Sequence, residues 1–283
     1  MWTNRKEARI TTPYTTILMT ALVSVALGLG QNSSAQTAQV SSEADAVSGT
    51  VTKTVLGLLP QTVTIAPVDQ SNTLTSGSND VPAASASQTV LGVEVYNLGT
   101  VDDSTSASYT ATLDGGVGTA STAAGSLLGG LVTWKSNIEP LNCAIDPTVA
   151  GQIDCSSIQT TYGMTINGVA VPPGSYPSGA SFPVNGNITD AQCGLGAETF
   201  SGSLITQESQ VTGIGTAAVS IKQIGMHLLG DATCRTLGLV PLYITHYDIE
   251  VAGPEDDVTG LNANTDSFYL KNNGFFNDYT SFR

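Results

Sequence analysis

What most constrains this chain is a repeated local pattern: short β-branched runs, each closed by Gly, Pro, Asn or Asp. They include TVTIAPV (62–68), TVLGVEVYNL (89–98), ASYTATL (107–113), GLVTWKSNI (130–138) and GMTINGVAV (163–171), then GSLITQESQV (202–211), AAVSIKQIGMHLL (217–229) and LYITHYDIEV (242–251). Thr, Val and Ile at this density suit a pleated, half-buried surface, and turn residues at this spacing interrupt any long helical period. Charged residues make up 11% of the chain, so the Glu, Lys and Arg that soluble helices draw on are scarce. The predicted fold is all-β, a β-sandwich of jelly-roll-like or Greek-key type, stapled by disulfides.

The staples are Cys143, Cys155, Cys193 and Cys234. An even count in an exported chain favours disulfides, and the absence of a C-x-x-C pair argues against redox or zinc chemistry. Four cysteines allow three connectivities. We favour Cys143–Cys155 with Cys193–Cys234, because the first pair closes the turn-like CAIDPTVAGQIDC.

Export is read from the N-terminus. Arg5, Lys6 and Arg9 precede the apolar run ILMTALVSVALGLG (17–30), and Ser33 and Ala35 suit signal peptidase, so residues 1–35 read as a signal peptide. The run is too short to span a bilayer, and no later segment approaches that length. Residues 36–87 form a β-capable segment followed by a Ser/Asn/Gly-rich connector, 88–252 the sandwich domain, and 253–283 an aromatic-rich tail. The formal charge is −14. With so few basic residues and no basic cluster, nucleic acid is excluded as a partner, and no membrane span is expected once the signal is cut.

The stretch ITHYDIE raises the sharpest chemical question, since His246, Asp248 and Glu250 fall on one face of a strand. Two residues apart along a strand is about 7 Å, so two of them could touch one ion, with His227 the natural addition. The alternating apolar residues make a solvated polar face the preferred reading for both segments. No G-x-S-x-G elbow occurs. The acidic stretches VDDST (101–105) and GPEDDV (253–258) lack the spaced calcium-loop pattern. We therefore assign no catalytic residue, no metal and no cofactor.

SLLGGLVT (126–133), TINGVAVPPGSYPSGASFPV (165–184) and FSGSLITQESQVTGIGTAAVSIKQIGMHLLG (200–230), in that order, resemble the choice-of-anchor P family of bacterial exported proteins over roughly residues 105–252. The resemblance implies a cell-surface or extracellular protein and brings no catalytic residues with it. Without an LPxTG-like sorting signal, release or assembly outside the cell is the expectation.

These features together predict a secreted, non-enzymatic structural protein that assembles with copies of itself in a matrix, fibre, biofilm or coat, or meets other cell-surface or matrix components. A secreted carbohydrate- or protein-binding adhesin is the alternative, and a secreted hydrolase a further one. Two segments are expected to make the contacts. Val51, Val55, Val63 and Ile65 could complete a neighbour's sheet or form the first strands of their own. Phe268, Tyr269, Phe275, Phe276, Tyr279 and Phe282 gather too many rings at one end for a solvated tail, so they are expected to dock into a neighbouring subunit or surface partner, or back on their own domain.

Overall fold

The structure, a computed structural model, describes residues 39–68, 71–73, 77–83, 85–109, 114–145, 152–157, 160–172, 179–194, 197–213, 216–236, 240–260, 267–272 and 279–282. The signal peptide reading, together with Phe275 and Phe276, lies outside them. Strands dominate, and the only helical element among the described residues is one 3-10 turn at Leu128–Gly130.

With strands numbered in chain order, the first sheet runs β3 (Gln61–Ile65), β2 (Val47–Val55), β20 (Val240–Val251), β19 (Ala218–Thr236), β21 (Glu255–Thr259), β1 (Gln39–Ala44), β4 (Ser71–Thr73). On the other side of β19 lies β18 (Ala197–Thr212), which carries β17 (Ala180–Thr189). A second sheet runs β16 (Val169–Ala170), β15 (Thr165–Ile166), β11 (Val132–Trp134), β10 (Gly125–Leu127), β7 (Val93–Leu98), β6 (Ala86–Val90). The third runs β23 (Tyr279–Phe282), β22 (Ser267–Asn272), β13 (Gln152–Ser157), β12 (Ser136–Ile145), β9 (Asp114–Thr122), β8 (Val101–Tyr109), β5 (Gly77–Ala83), with β14 (Thr160–Tyr162) also on β12. Pairing is antiparallel except between β13 and β22, which run parallel.

Alternation explains which face each strand buries. Along β20, Tyr243, Thr245, Tyr247, Ile249 and Val251 are buried, while Ile244 and His246 are exposed. Side chains from the first sheet, such as Val51, Phe200, Leu204 and Tyr247, pack in one apolar core with Val95, Leu98, Leu127 and Trp134 of the second. Two sheets thus close face to face, as in a sandwich. Phe200 meets Tyr247 edge-on at 6.0 Å between ring centroids. Its ring lies over the opposed glycines 202 and 230, where a Cβ would come within 2.8 Å and 2.6 Å of the Phe200 Cζ. A side chain at either position would displace the ring from the core.

The third sheet meets the first through small residues, Ala120 packing on Ala44 and Ala252. Polar groups are buried beside this contact. Ser42 donates to Asp256 Oδ1 at 2.5 Å, and the Ser157 hydroxyl donates to Glu139 Oε1.

Both disulfides take the favoured pairing. Cys143–Cys155 joins directly opposed residues of β12 and β13, and Cys193–Cys234 ties the loop after β17 to β19. There is no free cysteine.

Several stretches that read as loops are strands. Parts of the 69–87 connector form β4, β5 and the start of β6, and VDDST lies within β8 with Asp103 buried. Polar alternation at these sites hides a strand whose partners, not its own composition, supply the driving force. The sequence divisions at 87 and 252 do not separate sheets either. β1 and β2 enter the first sheet, and β21 sits in that sheet between β19 and β1.

Candidate functional site

His246, Asp248 and Glu250 share a face of β20 as the alternation requires, but they do not act together. His246 is exposed and its Nδ1 lies 2.8 Å from Asp231 Oδ1. The organised histidine is His227, on β19 directly opposite Glu250, and it is 6% exposed rather than solvated. Its Nδ1 is 2.5 Å from Glu208 Oε2, and its Nε2 is 2.8 Å from Asp248 Oδ1. Burial disfavours its charged form, yet the hydrogen bonds and charges of Glu208 and Asp248 outweigh that and raise its pKa. Gln207 adopts a left-handed backbone (φ 52°), which interrupts the pleat of β18 just before Glu208.

His227, Asp248 and Glu250 offer ligand atoms within 4.8 Å of one another, so this trio could hold a metal ion. Lys222 competes for the position: its Nζ lies 2.5 Å from Glu250 Oε2, beside Asp45. As it stands, the cluster is a network of hydrogen-bonded ion pairs linking β18, β19 and β20.

A second constellation is more deeply placed. Lys53 on β2 puts its Nζ 3.5 Å from Asp190 Oδ2, with side chains 7% and 0% exposed. The Lys53 ammonium also donates to Gln192 Oε1 at 2.8 Å and lies 3.5 Å from the centroid of the Tyr243 ring. Asp190 lies in the loop after β17. Tyr243 donates its hydroxyl to Asp190 Oδ2 at 2.5 Å, and the Gln192 backbone N–H donates to Oδ1 at 2.7 Å. Glu198, at the start of β18, is also buried and accepts from Thr245 Oγ1 at 3.4 Å. Burial, then its hydrogen bond and charge repulsion with Asp190, push Glu198 up to about 8. Burial also raises Asp190, but hydrogen bonds from Glu198, Tyr243 and Gln192 and the Lys53 charge hold it below the usual carboxylate range. One acid of the pair is thus neutral and the other ionised. Nothing in the spacing of Lys53, Asp190, Glu198 and Tyr243 announces this grouping; pairing of distant strands creates it.

Of the residues expected to make intermolecular contacts, Val51 and Ile65 are buried in the protein's own core, and Val63 packs against it. Val55 packs on the small cluster of Cys193, Cys234 and Tyr243. β2 pairs with β20 and β3 of the same chain, which makes it an internal strand. Phe268 and Tyr269 lie on β22, and Tyr279 and Phe282 on β23, the edge pair of the third sheet. Among the described residues, exposed leucines gather on the turn after β2. Leu56, Leu58 and Leu59 are 81%, 68% and 91% exposed, next to the partly exposed Leu242 and Ile244 of β20. The signal was present in the sequence as TVLGLLPQ (54–61), an apolar run without a charge.

No protein-family model matches the chain, and comparisons with curated proteins and with solved structures find no match.

Proposed function

We propose that this is a secreted, non-enzymatic structural protein that assembles with copies of itself in an extracellular matrix, fibre or coat. The observation that carries the reading is the turn Leu56–Pro60, which exposes three leucines to water beside Leu242 and Ile244; the Leu56 N–H donates to the Leu242 carbonyl, so the two segments form one surface. Contiguous exposed apolar surface of this kind marks an interaction site. A second copy suits it because two such turns, whose only charged residue within 54–61 is none, can meet without burying an unpaired ion. Two disulfides fit an oxidising compartment, and no helix among the described residues is long and apolar enough to cross a membrane.

Sedimentation velocity over a range of concentrations tests the proposal. The protein should form concentration-dependent oligomers, and the double substitution Leu58→Asp with Leu59→Asp should return it to a folded monomer. A wild-type protein that stays monomeric at high concentration overturns the reading, and a monomer retained on an immobilised glycan or protein surface would replace it with a binding module.

A further inference from the structure

We propose that Lys53 and Asp190 become joined by an intramolecular isopeptide bond, formed without another protein and with Glu198 carrying the protons. The Lys53 Nζ to Asp190 Oδ2 separation of 3.5 Å places the amine within contact range of the side-chain carboxyl, and both groups are sealed from solvent. A buried ion pair gains little net stability, because desolvating both charges offsets their attraction. Condensation to an uncharged amide removes both ions from the interior.

The surrounding groups match what condensation requires. Attack on Asp190 Cγ builds negative charge on its oxygens, and each oxygen already has a donor: the Tyr243 hydroxyl at Oδ2 and the Gln192 backbone N–H at Oδ1. Glu198 touches Asp190 by a hydrogen bond and feels the Lys53 charge. Its raised pKa means that it holds a proton near neutrality and can still give one up.

The balance is simple. Glu198 gives its proton to the Asp190 carboxylate and takes one from the Lys53 ammonium, which leaves a free amine facing an uncharged carboxyl. The amine lone pair attacks Cγ, a C–N bond forms, and the carbonyl electron pair moves onto oxygen. Glu198 then moves a proton from the nitrogen to the departing hydroxyl, the C–O bond breaks, and one water leaves. One ammonium and one carboxylate have become one amide and one water. Glu198 ends protonated, as it began, and no oxidation occurs.

The bond would tie β2, near the start of the described residues, to the loop after β17, beside the Cys193–Cys234 disulfide that joins the same loop to β19. A strand so fixed cannot be peeled from the sheet without breaking a covalent bond.

Intact-mass analysis of the purified wild-type protein, after reduction and denaturation, decides the matter. The expected mass is lower than that of the sequence by one water, and a protease digest should contain a branched peptide joining the Lys53 and Asp190 segments. Lys53→Arg and Glu198→Gln should each restore the full sequence mass. A wild-type protein at full mass overturns the proposal, and so does a water loss that persists in Lys53→Arg. Should either variant misfold, the presence or absence of the branched peptide in the wild type still settles the outcome.

Discussion

Glu139 is 0% exposed, and the Ser157 hydroxyl that donates to it only partly offsets its burial, so its pKa is pushed up to about 8. Asp256 is in the same position, raised by burial to about 7. Both acids fold in the protonated state, so each contributes stability that is fully present below its ordinary pKa and is lost as pH rises through the folded value. The window therefore runs from about 4 to about 8. His227, also raised, has the same sign, since protonation is favoured by folding. We expect urea denaturation to show a more stable protein at pH 5 than at pH 8, each titrating group contributing up to about 1.4 kcal/mol per pH unit. Glu139→Gln, which cannot ionise, should flatten that dependence, and stability that rises between pH 5 and pH 8 would contradict the assignment. Alternation in the sequence identified the buried face of β20 correctly. It could not separate His227 from His246, because the same polar parity leads to solvent in one case and to two facing carboxylates in the other.

At the scale of elements, β21 has the most to reveal. Five residues long, it pairs with β19 on one side and with β1 on the other, and its Val258 is fully buried. Removing it strips two ladders at once and forfeits roughly 1.5–3 kcal/mol for the valine alone. A chain ending at Gly253 should therefore lose its cooperative thermal transition. One ending at Gly260 should keep it, because β22 and β23 belong only to the edge of the third sheet. A Gly253 truncation that melts like the full chain, followed by circular dichroism, would show that β21 is dispensable. The strand cores of TVLGVEVYNL and LYITHYDIEV were legible from β-branched alternation. Short polar strands such as β4, β5 and β21 were not, since acidic and small residues adopt extended structure only when flanking strands supply their hydrogen bonds.

For the whole molecule, charge opposes the proposed self-association. The formal charge of −14 makes copies repel, while the leucine turn attracts without regard to sign. Salt shortens the reach of the repulsion, to about 10 Å at 0.1 M and about 3 Å at 1 M, and leaves apolar contact intact. Association measured by sedimentation should therefore tighten as salt increases, and Leu58→Asp with Leu59→Asp should abolish the effect. Association that weakens with salt would point instead to ion pairs as the joining contacts. Reducing the disulfides should also be felt at this scale. Cys193–Cys234 spans 41 residues against 12 for Cys143–Cys155. Its loss should cost more stability, within the usual 2–5 kcal/mol for a native disulfide by the chain-entropy argument, and Cys193→Ser with Cys234→Ser should accordingly melt below Cys143→Ser with Cys155→Ser.

The amino-acid sequence alone determined the all-β class and the buried parity of the long strands, because each depends on the order of residues within a few positions of one another; it only ranked the three disulfide pairings, since Cys193 and Cys234 lie 41 residues apart and meet through the fold. Tertiary structure decided which chemistry those strands bring together. Lys53 meets Asp190 and Tyr243 because β2 lies beside β20, and Tyr243 of β20 reaches Asp190 in the loop after β17. His227 meets Glu208 and Asp248 because β19 lies between β18 and β20. Side-chain alternation is local and can be read along one strand, whereas a site assembled across a sheet depends on the register between strands distant in the chain, and a shift of one residue would send every one of these groups to the opposite face.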